Sequence, residues 1–165
     1  MNYTGEILLA AVFVLSSFVA SFGLTALMLP QKAVLLLIKQ IKIAMSVAVL
    51  FCLGAFLLFE SGFLLDDFSL AAVAQYSSST LNIFYKLSAA WAGASGSLLL
   101  WTTLVFVFNS LALLWFKAEN HRMAALCLSV ASIVGCCFSG LLLFVARPFA
   151  AVMVTTDEGF GLNPM

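Results

Sequence analysis

The chain has 165 residues, 64% of them hydrophobic and 8% charged, and its formal net charge is zero. Roughly a quarter of the residues of an ordinary soluble domain are charged, so these figures exclude a soluble globular protein and a disordered chain alike. With no long run of like charge they also argue against a nucleic-acid partner or a polybasic anchor, and they describe an integral membrane protein.

Helices need about 20 apolar residues to cross roughly 30 Å of hydrocarbon. The first run without a charge, residues 7–29, has only Glu6 ahead of it and no basic residue. It outlasts the apolar core of a cleavable leader and reads as a retained span. Ser17, Ser21 and Thr25 recur on it every four residues, a stripe of small side chains suited to close helix packing in lipid. Lys32, Lys39 and Lys42 follow.

The second run, residues 43–59, is the shortest, and it spans with Lys42 or Glu60 as snorkelling ends. Residues 60–96 form a long connection whose middle reads DDFSLAAVAQYSSST. Acidic residues, then an apolar stretch, then a serine tract predict an interfacial helix followed by irregular structure.

Residues 85–101 read YKLSAAWAGASGSLLLW. From Ser88 to Ser97 every side chain except Trp91 is small, so the backbone there can lie against another helix, a loop or a flat ligand. Trp91 and Tyr85 suit an interfacial aromatic belt, and Trp101 rides near the start of the next span.

The third run covers 97–116 and the fourth 123–145, with KAENHR between them and a tail over 146–165. Ser132, Cys136 and Gly140 give the fourth run its own small-residue stripe. Cys52, Cys127, Cys136 and Cys137 all fall inside spans and read as packing residues. His121 is the lone histidine, placed in a charged turn, and reads as an interfacial polar residue rather than a metal ligand. There is no intramembrane carboxylate set, no serine, histidine and acid constellation and no phosphate loop, so no catalytic residue and no metal site is expected.

Each run is continuously apolar, which favours helices over the alternating strands of a barrel. Basic residues concentrate between the first two runs and between the last two. The positive-inside rule then places both termini and the 60–96 loop outside. The expected architecture is an all-α integral membrane protein of four transmembrane helices, N-out and C-out, forming a single membrane unit with one long external loop between the second and third spans.

YKLSAAWAGASGSLLLW is similar to a segment of the CcmF-type cytochrome c biogenesis family, including its NrfE relatives, that carries two tryptophans and a Gly-Ser pair. Asp67, Phe68 and Tyr76 and the carboxyl end EGFGLNPM resemble family stretches in the same order. The resemblance covers essentially the whole chain, by hydrophobic pattern more than identity over the first 60 residues.

The resemblance implies cytochrome c-type biogenesis: a haem lyase that attaches haem to apocytochrome c on the outer face of the membrane. It implies a bacterial inner-membrane location, with the mitochondrial inner membrane as the other compartment. The family's haem-binding histidines and tryptophan-rich segment have no counterpart here, so the chain is expected to be a split subunit or truncated amino-terminal part that docks rather than catalyses. Haem is then a cofactor only through the remaining portion or a partner chain. The implied partners are the rest of the lyase and, through the complex, a haem carrier and apocytochrome c. Trp91, Gly96, Ser97 and Trp101 are the candidate contacts for a haem edge or partner backbone. Many relatives carry a His-Glu pair between the tryptophan and the Gly-Ser, absent here, which removes a polar role at that spot and leaves the steric one. The alternatives are a structural accessory subunit of a respiratory complex, or a small four-helix transporter, which would need a membrane acid for proton coupling.

Overall fold

The structure, a computed structural model, describes residues 2–115, 121–152 and 158–160. Among these residues six helices follow one another: α1 (Asn2–Thr25), α2 (Gln31–Leu64), α3 (Ala71–Tyr76), α4 (Ile83–Ala89), α5 (Ala94–Trp115) and α6 (His121–Leu141). A π-helical turn, Leu142–Ala146, prolongs α6. Four stretches of the described residues are long and apolar enough to cross a membrane: Tyr3–Thr25, Gln31–Leu64, Ala94–Leu111 and His121–Ala146. The chain is an all-helical membrane protein.

The long helices form an antiparallel ring in which α1 packs between α2 and α6, and α5 closes the far side between the same two. Water does not drive lipid-embedded helices together, so the ring depends on close approach at small residues. The α1–α6 seam shows how. A Cβ at Gly23 would stand 2.7 Å from Ser129 Cβ and 2.8 Å from the Ala125 carbonyl, too close for any side chain. Ser129 donates to the Ala20 carbonyl, Ser17 Oγ lies 3.2 Å from Cys136 Sγ, and Gly140 faces the Phe13 ring. Of the stripe read on α1, only Ser17 enters this seam; Ser21 and Thr25 are exposed. Ala20 and Gly23 are the small residues of α1 that meet Ser129 and Ala125 of α6, and Val12, Ser16 and Val19 are buried on the same helix.

Helix ends depart from the hydropathy runs for local reasons. α1 stops at Thr25, and Ala26, Leu27 and Met28 tighten into bonds back to Gly23, Leu24 and Thr25 carbonyls of 3.3, 3.2 and 2.9 Å. Pro30, extended at ψ 154°, then opens α2. α2 has 34 residues, about 51 Å of helix, far beyond the apolar 43–59 run. Its extra turns carry Lys32, Lys39 and Lys42 at one end and reach Leu64 at the other. Hydropathy marks the part of a helix that lipid can cover, not where its hydrogen bonds end. At the close of α6, Arg147 takes a left-handed φ of 41° and its N–H bonds the Leu142 carbonyl at 2.9 Å, and Pro148 blocks further helix.

The ends of α2 and α6 and the starts of α1 and α5 share one end of the bundle, called the rim below. α3, α4 and the segment after α6 cover it. Phe59 and Phe63 of α2 and Phe149 of that segment form its apolar centre, with ring centroids 5.3 and 5.8 Å apart in edge-on contacts. The residues read as a loop over 60–96 therefore contain the last turn of α2, two short helices and the first turn of α5.

Candidate functional site

The rim is built around a reversal of the chain after α2. Asp66 takes a left-handed φ of 53°, a conformation that aspartate tolerates better than most residues, and turns the chain back. Asp67 stabilises the turn: its N–H bonds the Gly62 carbonyl at 2.9 Å and its Oδ1 accepts the Ser69 N–H at 3.2 Å. Lys86 of α4 donates to Asp66 Oδ1 at 2.7 Å. The lysine is 8% exposed, so the pair ties α4 to the end of α2 from inside the protein. Ion pairing of this kind is invisible in sequence, where the partners lie 20 residues apart.

α4 starts at Asn82, whose Oδ1 caps the Phe84 N–H at 3.1 Å. Lys86 and Ala89 face inward, while Ile83, Phe84 and Tyr85 are exposed. Beyond Ala89 the small residues do their work within the chain. A Cβ at Gly93 would stand 2.5 Å from Tyr76 Cε2 of α3. At Gly96 it would overlap the Ala90 carbonyl and meet Phe59 Cε1 at 3.1 Å. Ser97 Oγ donates to the Trp91 carbonyl at 2.6 Å and its N–H bonds the Gly93 carbonyl at 3.0 Å.

Of the four candidate contacts, Gly96 and Ser97 thus shape the α4–α5 corner, Gly96 being buried beneath it. Trp91 and Trp101, 44% and 62% exposed, point away from the bundle. The structure separates the set into two that build the corner and two that it presents.

The segment after α6 is stitched onto α3. Ala71 N–H bonds the Ala150 carbonyl at 2.9 Å, Val152 N–H the Ser69 carbonyl at 3.0 Å, and Phe160 N–H the Ala74 carbonyl at 2.8 Å. Glu158 Oε1 accepts from Ser79 N–H at 3.0 Å, Ser79 Oγ at 2.7 Å and Ser78 Oγ at 3.1 Å. These donors hold its carboxyl below the usual carboxylate range. The serine tract, which lies between α3 and α4 outside any helix, supplies the donors that hold the Glu158 carboxylate. The LNP stretch, residues 162–164, lies outside the described residues, as does most of KAENHR.

Glu60, read as a snorkelling end, instead sits 8% exposed within α2, and its Oε2 has no hydrogen-bond partner among the described residues. The apolar packing of Phe59 and Phe63 beside it turns this part of α2 toward the bundle. His121 opens α6 at the opposite end of the bundle, next to Arg122, which donates to the Leu29 carbonyl at 2.6 Å. No group of three metal-ligating side chains occurs among the described residues.

No family model matches the chain. It is 39% identical over 106 residues to a probable cytochrome c-type biogenesis protein NrfE of Escherichia coli, a match covering 62% of this chain and 19% of that protein. Cytochrome c-type biogenesis proteins CcmF of Escherichia coli and Pseudomonas aeruginosa are 31% and 35% identical over 113 and 117 residues, 68% and 67% of this chain. Each of those matches covers 18% of the relative, so the chain spans less than a fifth of the length of these curated relatives. Among solved structures, one described as a cytochrome c heme lyase CcmF superposes with a TM-score of 0.80 at 28% identity, over 90% of this chain and 24% of that one.

Proposed function

Because the chain belongs to the CcmF/NrfE family of cytochrome c-type biogenesis proteins, corresponding to their amino-terminal part, we propose that it is the membrane docking portion of a cytochrome c haem lyase. The rim faces outside, into the periplasm of a bacterial inner membrane. There the assembled enzyme joins haem to apocytochrome c. The lyase portion that carries the haem-holding groups seats on the rim beside α4 and the start of α5, and this chain contributes surface and no catalytic group. Haem and apocytochrome are substrates of the complex; Trp91 and Trp101 supply stacking faces to the seated partner or to the edge of the haem it brings.

The observation that carries this reading is the exposed indole of Trp91 on a corner whose own small residues are already filled, with the exposed indole of Trp101 about two turns further along α5. Gly96, Gly93 and Ser97 rigidify the turn, so the Trp91 ring is presented at low cost in lost freedom, as interface anchors are. The charge distribution supports the orientation. Among the described residues four basic side chains, Lys32, Lys39, Lys42 and Arg122, lie toward the end opposite the rim, against two, Lys86 and Arg147, on it.

The test is affinity co-purification of the tagged chain with the remaining lyase portion, followed by haem staining of c-type cytochromes. Trp91→Ala with Trp101→Ala should leave the helices folded, reduce recovery of the lyase portion at least tenfold and lower holocytochrome in parallel. Full recovery and full maturation in that variant would refute the docking role.

A further inference from the structure

A second feature of the rim lies where α1 begins and α6 ends. Between the first turns of α1 and the π-helical turn after α6 opens a cleft of about 470 Å³. Its mouth carries the Glu6 carboxylate and the Arg147 guanidinium, 3.8 Å apart, both substantially solvent-accessible, with Tyr3 beside them. Below the mouth the lining is apolar: Phe144, Leu143 and Leu9. The exposed ridge of α1, Ile7 and Ala10, is shared with a second groove that continues past Val14 toward Phe51 of α2 and is almost wholly apolar.

We propose that this cleft binds a phospholipid with a zwitterionic head, its phosphate on Arg147, its primary ammonium on Glu6, and an acyl chain along the α1 ridge. Charge complementarity selects that occupant. The two side chains face each other loosely at 3.8 Å: a head with phosphate alone takes the guanidinium and leaves the Glu6 carboxylate without its cation, a simple cation does the reverse, and a head with both signs a few bonds apart satisfies both. The apolar groove leading away from one charged mouth has the polarity profile of such a lipid at the membrane interface. The backbone fixes the arrangement: the π-helical turn and the left-handed φ of Arg147 bring the guanidinium back toward α1 instead of letting it continue along the α6 axis. The site requires no partner chain, and its failure would leave the haem-lyase reading intact.

The experiment is native mass spectrometry of the full chain, delipidated in detergent and then offered phosphatidylethanolamine or phosphatidylglycerol at equal concentration. The chain should retain phosphatidylethanolamine about fivefold more than phosphatidylglycerol, the scale of one interfacial ion pair. Glu6→Gln should abolish that preference. Arg147→Asn, chosen because asparagine accepts the left-handed conformation, should lower retention of both lipids about fivefold. Equal retention of the two lipids by the unaltered chain, or an undiminished preference in Glu6→Gln, would overturn the proposal, and the latter variant decides the matter even where Arg147→Asn perturbs the turn.

Discussion

Replacing Lys86 with methionine keeps the length and packing of the aliphatic stem and removes only the ammonium. The Asp66 carboxylate is then left in place without its cation. Its side chain is 28% exposed and that of Lys86 10%, so neither is freely solvated. Breaking a fully buried pair costs 3–5 kcal/mol and an exposed one less than 1, which places this partly screened pair at about 2 kcal/mol. The loss falls on the junction of α4 with the end of α2, so it should appear as local opening. Amide exchange of α4 in lipid nanodiscs should quicken about 30-fold while α1 and α6 are unchanged. Adding Asp66→Asn, which retains the left-handed turn without a charge, should restore most of the protection, since the penalty lies in the orphaned carboxylate. Exchange in Lys86→Met within threefold of the unaltered chain, or a double variant as unprotected as the single one, would refute this account of the rim.

Gly96→Ala should disorder the α4–α5 corner, because its methyl group has nowhere to go but into the Ala90 carbonyl; loss of α4 amide protection measures it. Gly23→Ala should lower the thermal midpoint in detergent by forcing α1 and α6 apart, at a cost of about 1–3 kcal/mol. Ser97→Ala should remove about 1 kcal/mol of corner stability through the Trp91 carbonyl bond, visible as faster exchange at the start of α5. The Glu158 carboxyl is held below its ordinary range when bound, so the latch is at full strength above that range and is lost as pH falls through the lowered value. Spin labels at Gln75 and Phe160 should separate on acidification, and Glu158→Gln should remove the pH dependence.

Much of the bundle is legible in hydropathy alone, since a stretch such as 123–145 has no soluble alternative. Seam register is harder. Ser17, Ser21 and Thr25 make one set of small residues and Ala20 with Gly23 another, and only the approach of α1 to α6 selects between them. At the rim, the small residues from Ser88 to Ser97 correctly signal close approach, but periodicity cannot tell whether a glycine accommodates a partner or, like Gly96, the chain's own carbonyl six residues back. Pairings such as Lys86 with Asp66, or Glu158 with Ser79, depend on how distant segments fold together. Four membrane-length helices could be read; the stitching of the tail onto α3 could not.

α2 runs without a proline or a break from Gln31 to Leu64. It therefore behaves as one stiff rod joining the lysine-bearing end of the bundle to the turn at Asp66. A displacement of that turn is carried along the helix axis to its opposite end. Events on one face of the bilayer are in this way mechanically felt at the other, through a single unbroken column of hydrogen bonds.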